Sequence, residues 1–159
     1  MTVISDTSPI NYLLQIGLID VLHKMFGRVV IPQAVYAELQ HPGAPQVVSD
    51  WTLNLPGWID VQAVSVPDPS LNLGAGEQEA ITLALGLKAD TLLLDERKGR
   101  REAVARGLTV SGTLNVLEEA AERGLIDLRQ AFAALLETNF RASPAIIRVM
   151  LQRDADRRR

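Results

Sequence analysis

Short apolar runs separated by turn residues divide the chain into alternating strand and helix segments. An apolar, β-leaning run over residues 2–6 stops on Asp6 and is followed by Ser8 and Pro9, a helix N-cap and first-turn pair. Strand therefore passes to helix at a carboxylate. Leu13, Leu14, Leu18, Val21 and Leu22 supply the apolar positions of a helical region from Ser8 to about Phe26, punctuated by Gly17. Arg28 to Ile31 is a β-branched strand, and Pro32 opens a helix to about Gln40. His41 to Pro45 breaks it, and Gln46 to about Leu55 is a further helix, ended by Pro56 and Gly57. Trp58 to Val66 alternates as a third strand, a loop holds Pro67 to Ser70, and Gly74 and Gly76 lead into a helix from about Glu77 to Lys88. Thr91 to Leu94 is solidly apolar between Asp90 and Asp95, the pattern of a strand buried on both faces. A basic helix follows from about Arg97 to Arg106, Gly107 closes it, and Leu108 to Val110 is a fifth strand. From Gly112 onward only helices are expected, among them one with Leu128, Ala131, Phe132, Leu135 and Leu136 on one face. Ser143 and Pro144 cap the last, which carries Ile146, Ile147, Met150 and Leu151.

Strands alternating with helices predict an α/β fold: a parallel sheet of about five strands covered on both faces, three layers in one domain over residues 1–159. Residues 125–159 form a helical C-terminal extension packed on it and offer a surface for a dimer or a partner. In such a sheet, side chains at the carboxyl ends of strands face the crevice where ligands bind. Asp6 and Asp95 both end strands, so they share one edge of the sheet. Glu38 lies at i+3 from Val35 and i+7 from Ile31, on the stripe that should face inward. Glu77 shares a face with Ala80, Ile81 and Ala84, whereas Glu79 points toward Thr82 and Leu83 as a solvated residue.

Each acid also has a plainer reading. Asp6 alone could cap a helix, Glu77 could serve the dipole of its helix, and Glu38 could be a helix acid in a salt bridge. Four carboxylates converging in a crevice would instead repel one another and take up protons unless a cation neutralised them. With no cysteine and only His23 and His41, which stand singly without metal spacing, an oxygen ligand set favours Mg²⁺ or Mn²⁺ over zinc. Such an ion suits phosphoryl chemistry.

Composition adds limits. The 159 residues are 47% hydrophobic and 22% charged, enough for a real core, and a net charge of −3 argues against a broadly basic nucleic-acid coat. Arg97, Lys98, Arg100, Arg101 and Arg106 form a local basic cluster after Asp95, either an attractor of RNA phosphates or a solvated face. Arg153, Arg157, Arg158 and Arg159, interleaved with Asp154 and Asp156, read as a frayed terminus. No signal peptide or membrane span is expected, and the absence of cysteine fits a cytoplasmic protein. Gly74 and Gly76 make no dinucleotide fingerprint, and no phosphate-loop motif occurs.

The stretches VISDTSPI, VYAEL around Glu38, GEQEAITLA around Glu77 and LLLDERKGR around Asp95, with Gly112 and Thr113 after them, resemble the PIN domain family, most of all its VapC-type toxin branch and that branch's little-characterised bacterial and archaeal relatives. The resemblance covers roughly residues 1 to 125 and lies in the order and spacing of the acids. It implies a five-stranded parallel α/β/α sheet, a Mg²⁺- or Mn²⁺-dependent ribonuclease, and a homodimer held in check by an antitoxin protein. By the same resemblance Asp6, Glu38, Glu77 and Asp95 are the catalytic and metal-binding acids, with Ser8 and Thr113 as polar neighbours. The third acid is commonly Asp in toxin members, and here it is Glu77 or Glu79. A non-catalytic module of the same fold, binding nucleic acid or protein, is the alternative. A receiver-like phospho-acceptor domain is disfavoured, since Ser5 stands where a second acid would and Gly112 and Thr113 where a lysine would.

Overall fold

The computed structural model describes residues 1–159. Five strands, β1 (Val3–Ser5), β2 (Val29–Pro32), β3 (Ile59–Gln62), β4 (Thr91–Leu93) and β5 (Val110–Ser111), form one sheet in the order β3-β2-β1-β4-β5. Every pairing is parallel, with Ile4 opposite both Val30 and Leu92. Parallel strands need helical crossovers, and the apolar runs of β1, β2 and β4 are accordingly buried on both faces. Alternation sorts their side chains into two cores. Val3, Val29, Ile31 and Leu93 join the larger one, under α1 (Thr7–Gln15), α2 (Asp20–Phe26), α3 (Gln33–Leu39) and α4 (Gln46–Leu53). The same core takes in α7 (Thr113–Glu122), α8 (Leu128–Leu136) and α9 (Pro144–Arg157). Ile4, Val30, Leu92 and Leu94 meet α5 (Ala75–Leu87) and α6 (Arg97–Ala105) on the other face. The three layers are those the sequence predicts.

Strand order turns back at β1. The chain leaves β1 toward β2 and β3, then returns across the sheet to β4 on β1's other side, which makes the carboxyl ends of β1 and β4 a topological switch point, where α/β sheets open a crevice.

Several boundaries differ from the sequence pattern. The helical region expected over Ser8–Phe26 is two helices, because Gly17 adopts a positive φ of 74° and ends the first. The third strand keeps only Ile59–Gln62, since beyond it Val64 and Val66 have no neighbouring strand to pair with. The arginine-rich terminus is not frayed. It is the end of α9, where Glu118, itself 9% exposed, accepts from Arg153 Nε and Nη2 at 3.0 Å each, and Asp154 pairs with Arg157 and Arg158. Leu128, Phe132, Leu135, Ile147 and Met150 of α8 and α9 are buried in the larger core, so these helices complete the domain. No helix is long and apolar enough to cross a membrane.

Candidate active site

Asp6 follows β1 directly, its N–H donating to Leu93 O of β4 at 2.9 Å, and Asp95 stands just beyond β4. The two strand-end acids therefore sit on one sheet edge across a single strand pairing. Glu38, from the last turn of α3, and Glu77, from the first turn of α5, complete the wall of an open cleft of about 1050 Å³ that all four carboxylates line.

Asp6 occupies the N-cap position of α1 yet makes no capping hydrogen bond. Asp6 is 5% exposed, and its Oδ1 is buried with no hydrogen-bond partner. A capping role would have spent that oxygen on a backbone N–H, so the cap reading fails on geometry. Burial raises its pKa to about 7, and the negative charges of Glu77, Glu38 and Asp95 push in the same direction. Burial likewise raises Glu77, with Glu96 and Glu38 adding to it.

The other acids are held by the chain. Asp95 accepts from Ser8 Oγ at 2.9 Å, Thr113 N at 2.6 Å and Thr113 Oγ1 at 2.7 Å, which gives both polar neighbours expected from the sequence one task. Glu38 accepts from Thr7 Oγ1 and from Gly76 N at 3.0 Å. It is exposed, one step off the buried line of Val35 and Leu39, and so faces the cleft mouth and not the core that its stripe suggested. Two glycines make room for these carboxylates. A Cβ on Gly76 would lie 2.6 Å from Glu38 Oε1, and one on Gly112 would lie 2.9 Å from Asp95 Oδ1 and 2.6 Å from Arg100 Nη1. Thr7, Gly76 and Gly112 are site residues that sequence reasoning did not single out for this purpose. Thr7 stands beside Asp6, but its partner Glu38 is fixed only by the fold.

Glu77 lines the cleft, whereas Glu79 accepts from Ala34 N at 3.0 Å and caps the start of α3. Glu79 is thus neither a cleft acid nor simply solvated. Glu96 caps α6 by accepting from Gly99 N at 2.7 Å, a bond that holds its carboxyl below the usual range. The basic cluster divides: Arg97, Arg100 and Arg101 line the cleft, while Lys98 reaches Asn72 O at 2.8 Å and Arg106 pairs with Glu102 at 2.6 Å. Arg141, between α8 and α9, also lines the cleft. His23 stacks on Trp58, and His41 Nδ1 accepts from Gly43 N, so both histidines have local structural partners.

No three of these side chains are closed around a common point as metal ligands. Thr7 and Gly76 hold the Glu38 carboxylate, and Ser8 and Thr113 hold that of Asp95. The donor set nevertheless fits a hard divalent cation. It is all oxygen, it includes one buried carboxylate oxygen lacking any partner, and each held carboxylate keeps a spare lone pair.

A family model, DUF3368, described as a PIN domain, matches residues 2–156. A solved structure of a PilT N-terminus domain protein from the hyperthermophilic archaeon Sulfolobus solfataricus P2 is similar to this chain. Its TM-score is 0.53 at 18% identity, and the match covers 90% of this chain and 100% of that one, a likeness of fold. No curated protein sequence matches.

Proposed function

This chain belongs to the PIN domain family, and we propose that it is a metal-dependent endoribonuclease of the VapC toxin type, hydrolysing RNA phosphodiester bonds at the cleft of Asp6, Glu38, Glu77 and Asp95. The observation that carries this reading is Asp6 Oδ1, a buried and unpartnered oxygen with three further carboxylates around it. Leaving such an atom without a partner costs about 1–3 kcal/mol, a cost expected where a ligand supplies the partner. Asp6, Glu38, Glu77 and Asp95 would hold Mg²⁺ or Mn²⁺. When bound, that ion offsets the carboxylate charge, stabilises charge building on the phosphodiester and makes nearby water more acidic.

The chain's own residues do the positioning. Ser8 and Thr113 fix the Asp95 carboxylate from three donors, and Thr7 with the Gly76 N–H fixes Glu38. Arg97, Arg100 and Arg101 from α6 and Arg141 from the loop before α9 would offer guanidinium groups to phosphates of the RNA backbone. Of these only Arg100 is tied to the chain, weakly, through Leu94 O at 3.4 Å.

Incubated with Mn²⁺, the protein is expected to cut RNA internally, and chelation to stop it. Asp6→Asn should lower the rate about 10²-fold or more with the fold retained. Intact RNA across structured and single-stranded substrates would refute the nuclease and favour a binding module. The toxin-type reading adds a homodimer and an inhibitory protein partner, supported by the exposed apolar Leu136, Ile146 and Val149 on α8 and α9. Size-exclusion chromatography of the full chain should give a dimer, and a monomer at micromolar concentration would remove that part.

A further inference from the structure

A second cavity, of about 410 Å³, opens beside the acid cleft and shares Thr7, Asn11, Glu38 and Asn139 with it. Its chemistry is different. The acid cleft is walled by arginines, whereas no arginine or lysine lines the second cavity. Its polar groups are mainly neutral amides: Asn11 and Gln15 one turn apart on α1, and Asn139 before α9. Gln15 Nε2 donates to Asn11 Oδ1 at 3.1 Å, and Asn139 Oδ1 accepts from Tyr12 Oη at 2.8 Å. Those bonds leave Asn11 Nδ2 and Asn139 Nδ2 as donors and Gln15 Oε1 as an acceptor. Leu39, Ala44, Pro45 and Val48 add apolar lining.

We propose that this cavity is a base-recognition subsite, in which the amides of Asn11, Gln15 and Asn139 read the edge of one nucleobase of the RNA next to the bond cut in the acid cleft. The proposal rests on the RNA reading above and adds where sequence preference comes from. Fixed amides offer paired donors and acceptors to the edge of an unstacked base, and apolar lining accepts its face. A phosphate would find no arginine or lysine here, and a purely apolar ligand would strand the amides. Glu38, at the boundary, keeps phosphate oxygens on the arginine side by repulsion.

Nuclear magnetic resonance on the full chain tests the subsite without any cleavage. The four ribonucleoside 5′-monophosphates, titrated singly, are expected to move the side-chain amide signals of Asn11, Gln15 and Asn139 for one or two bases only. Ribose 5-phosphate should leave them still, and Ala44→Phe, which adds bulk to the cavity from the half-buried loop after α3, should abolish the response. If no nucleotide moves these signals, or ribose 5-phosphate moves them equally, the proposal is overturned. Sequencing of RNA ends after Mn²⁺-dependent cleavage gives a second arm: Gln15→Leu should cut base discrimination at one position about 10-fold. Unchanged preference there also overturns it. An inactive protein whose amides still respond to nucleotides refutes the nuclease and leaves the subsite standing, so the two failures are distinguishable.

Discussion

At the scale of single residues, Asp6 dominates. Burial lifts its pKa from 3.8 to about 7, so the folded protein keeps a proton over a range where the unfolded chain has released it. Asp6's contribution to stability without divalent cations is then fullest below about pH 4 and is lost as pH rises toward 7, by about 4 kcal/mol. Urea unfolding in chelator should therefore show a weaker fold at pH 8 than at pH 5, and Asp6→Asn should flatten that difference. Parallel profiles for the two proteins would contradict the assignment. Gly76→Ala is the complementary test. Alanine normally favours a helix over glycine by about 1 kcal/mol, but here its Cβ would displace the Glu38 carboxylate 2.6 Å away. RNA cleavage should drop about 10-fold or more with little change in melting temperature. Wild-type cleavage would mean that Glu38 is not needed where it stands. Asp6 and Asp95 were legible in the sequence because a strand end fixes where its next side chain points. The bonds to Glu38 were not, since Thr7 and Gly76 meet it only across the fold.

At the scale of elements, the helices after β5 gain most from the structure. The sequence showed their apolar faces, but the alternation of Arg and Asp in the tail has the pattern of a solvated end, and nothing local reveals that Glu118 of α7 lies opposite. α9 instead packs Ile147 and Met150 into the larger core and ties Arg153 to Glu118. Ile147→Ala should cost about 2–4 kcal/mol in denaturant unfolding, while Mn²⁺ affinity of the folded protein stays unchanged. A cost under about 0.5 kcal/mol would return α9 to the status of a loose appendage. Deleting residues 125–159 would remove part of the core along with any partner surface, so full-length protein is the right material for assembly measurements.

At the scale of the molecule, a net charge of −3 hides a divided surface: acids gathered at the switch point of the sheet, with Arg97, Arg100, Arg101 and Arg141 around them. RNA affinity should depend on those arginines more than on overall charge. The log–log slope of affinity against salt for single-stranded RNA should be about −3, and Arg97→Ala with Arg101→Ala should flatten it by about 1.4. An unaltered slope would place the RNA elsewhere. The alternation of strand and helix made the architecture readable in advance, because only a covered parallel sheet accommodates it. The second, arginine-free cavity had no sequence signal, being assembled from α1, the loop after α3 and Asn139. The central claim is that Asp6 anchors a divalent cation among the four acids, and calorimetric titration of Mn²⁺ into the metal-free protein at pH 7.5, beside Asp6→Asn, tests it most directly. Saturable binding by the wild type, with a heat that varies with the buffer's protonation enthalpy and is lost in Asp6→Asn, is the predicted result; absence of binding, or equal binding by both proteins, would contradict it.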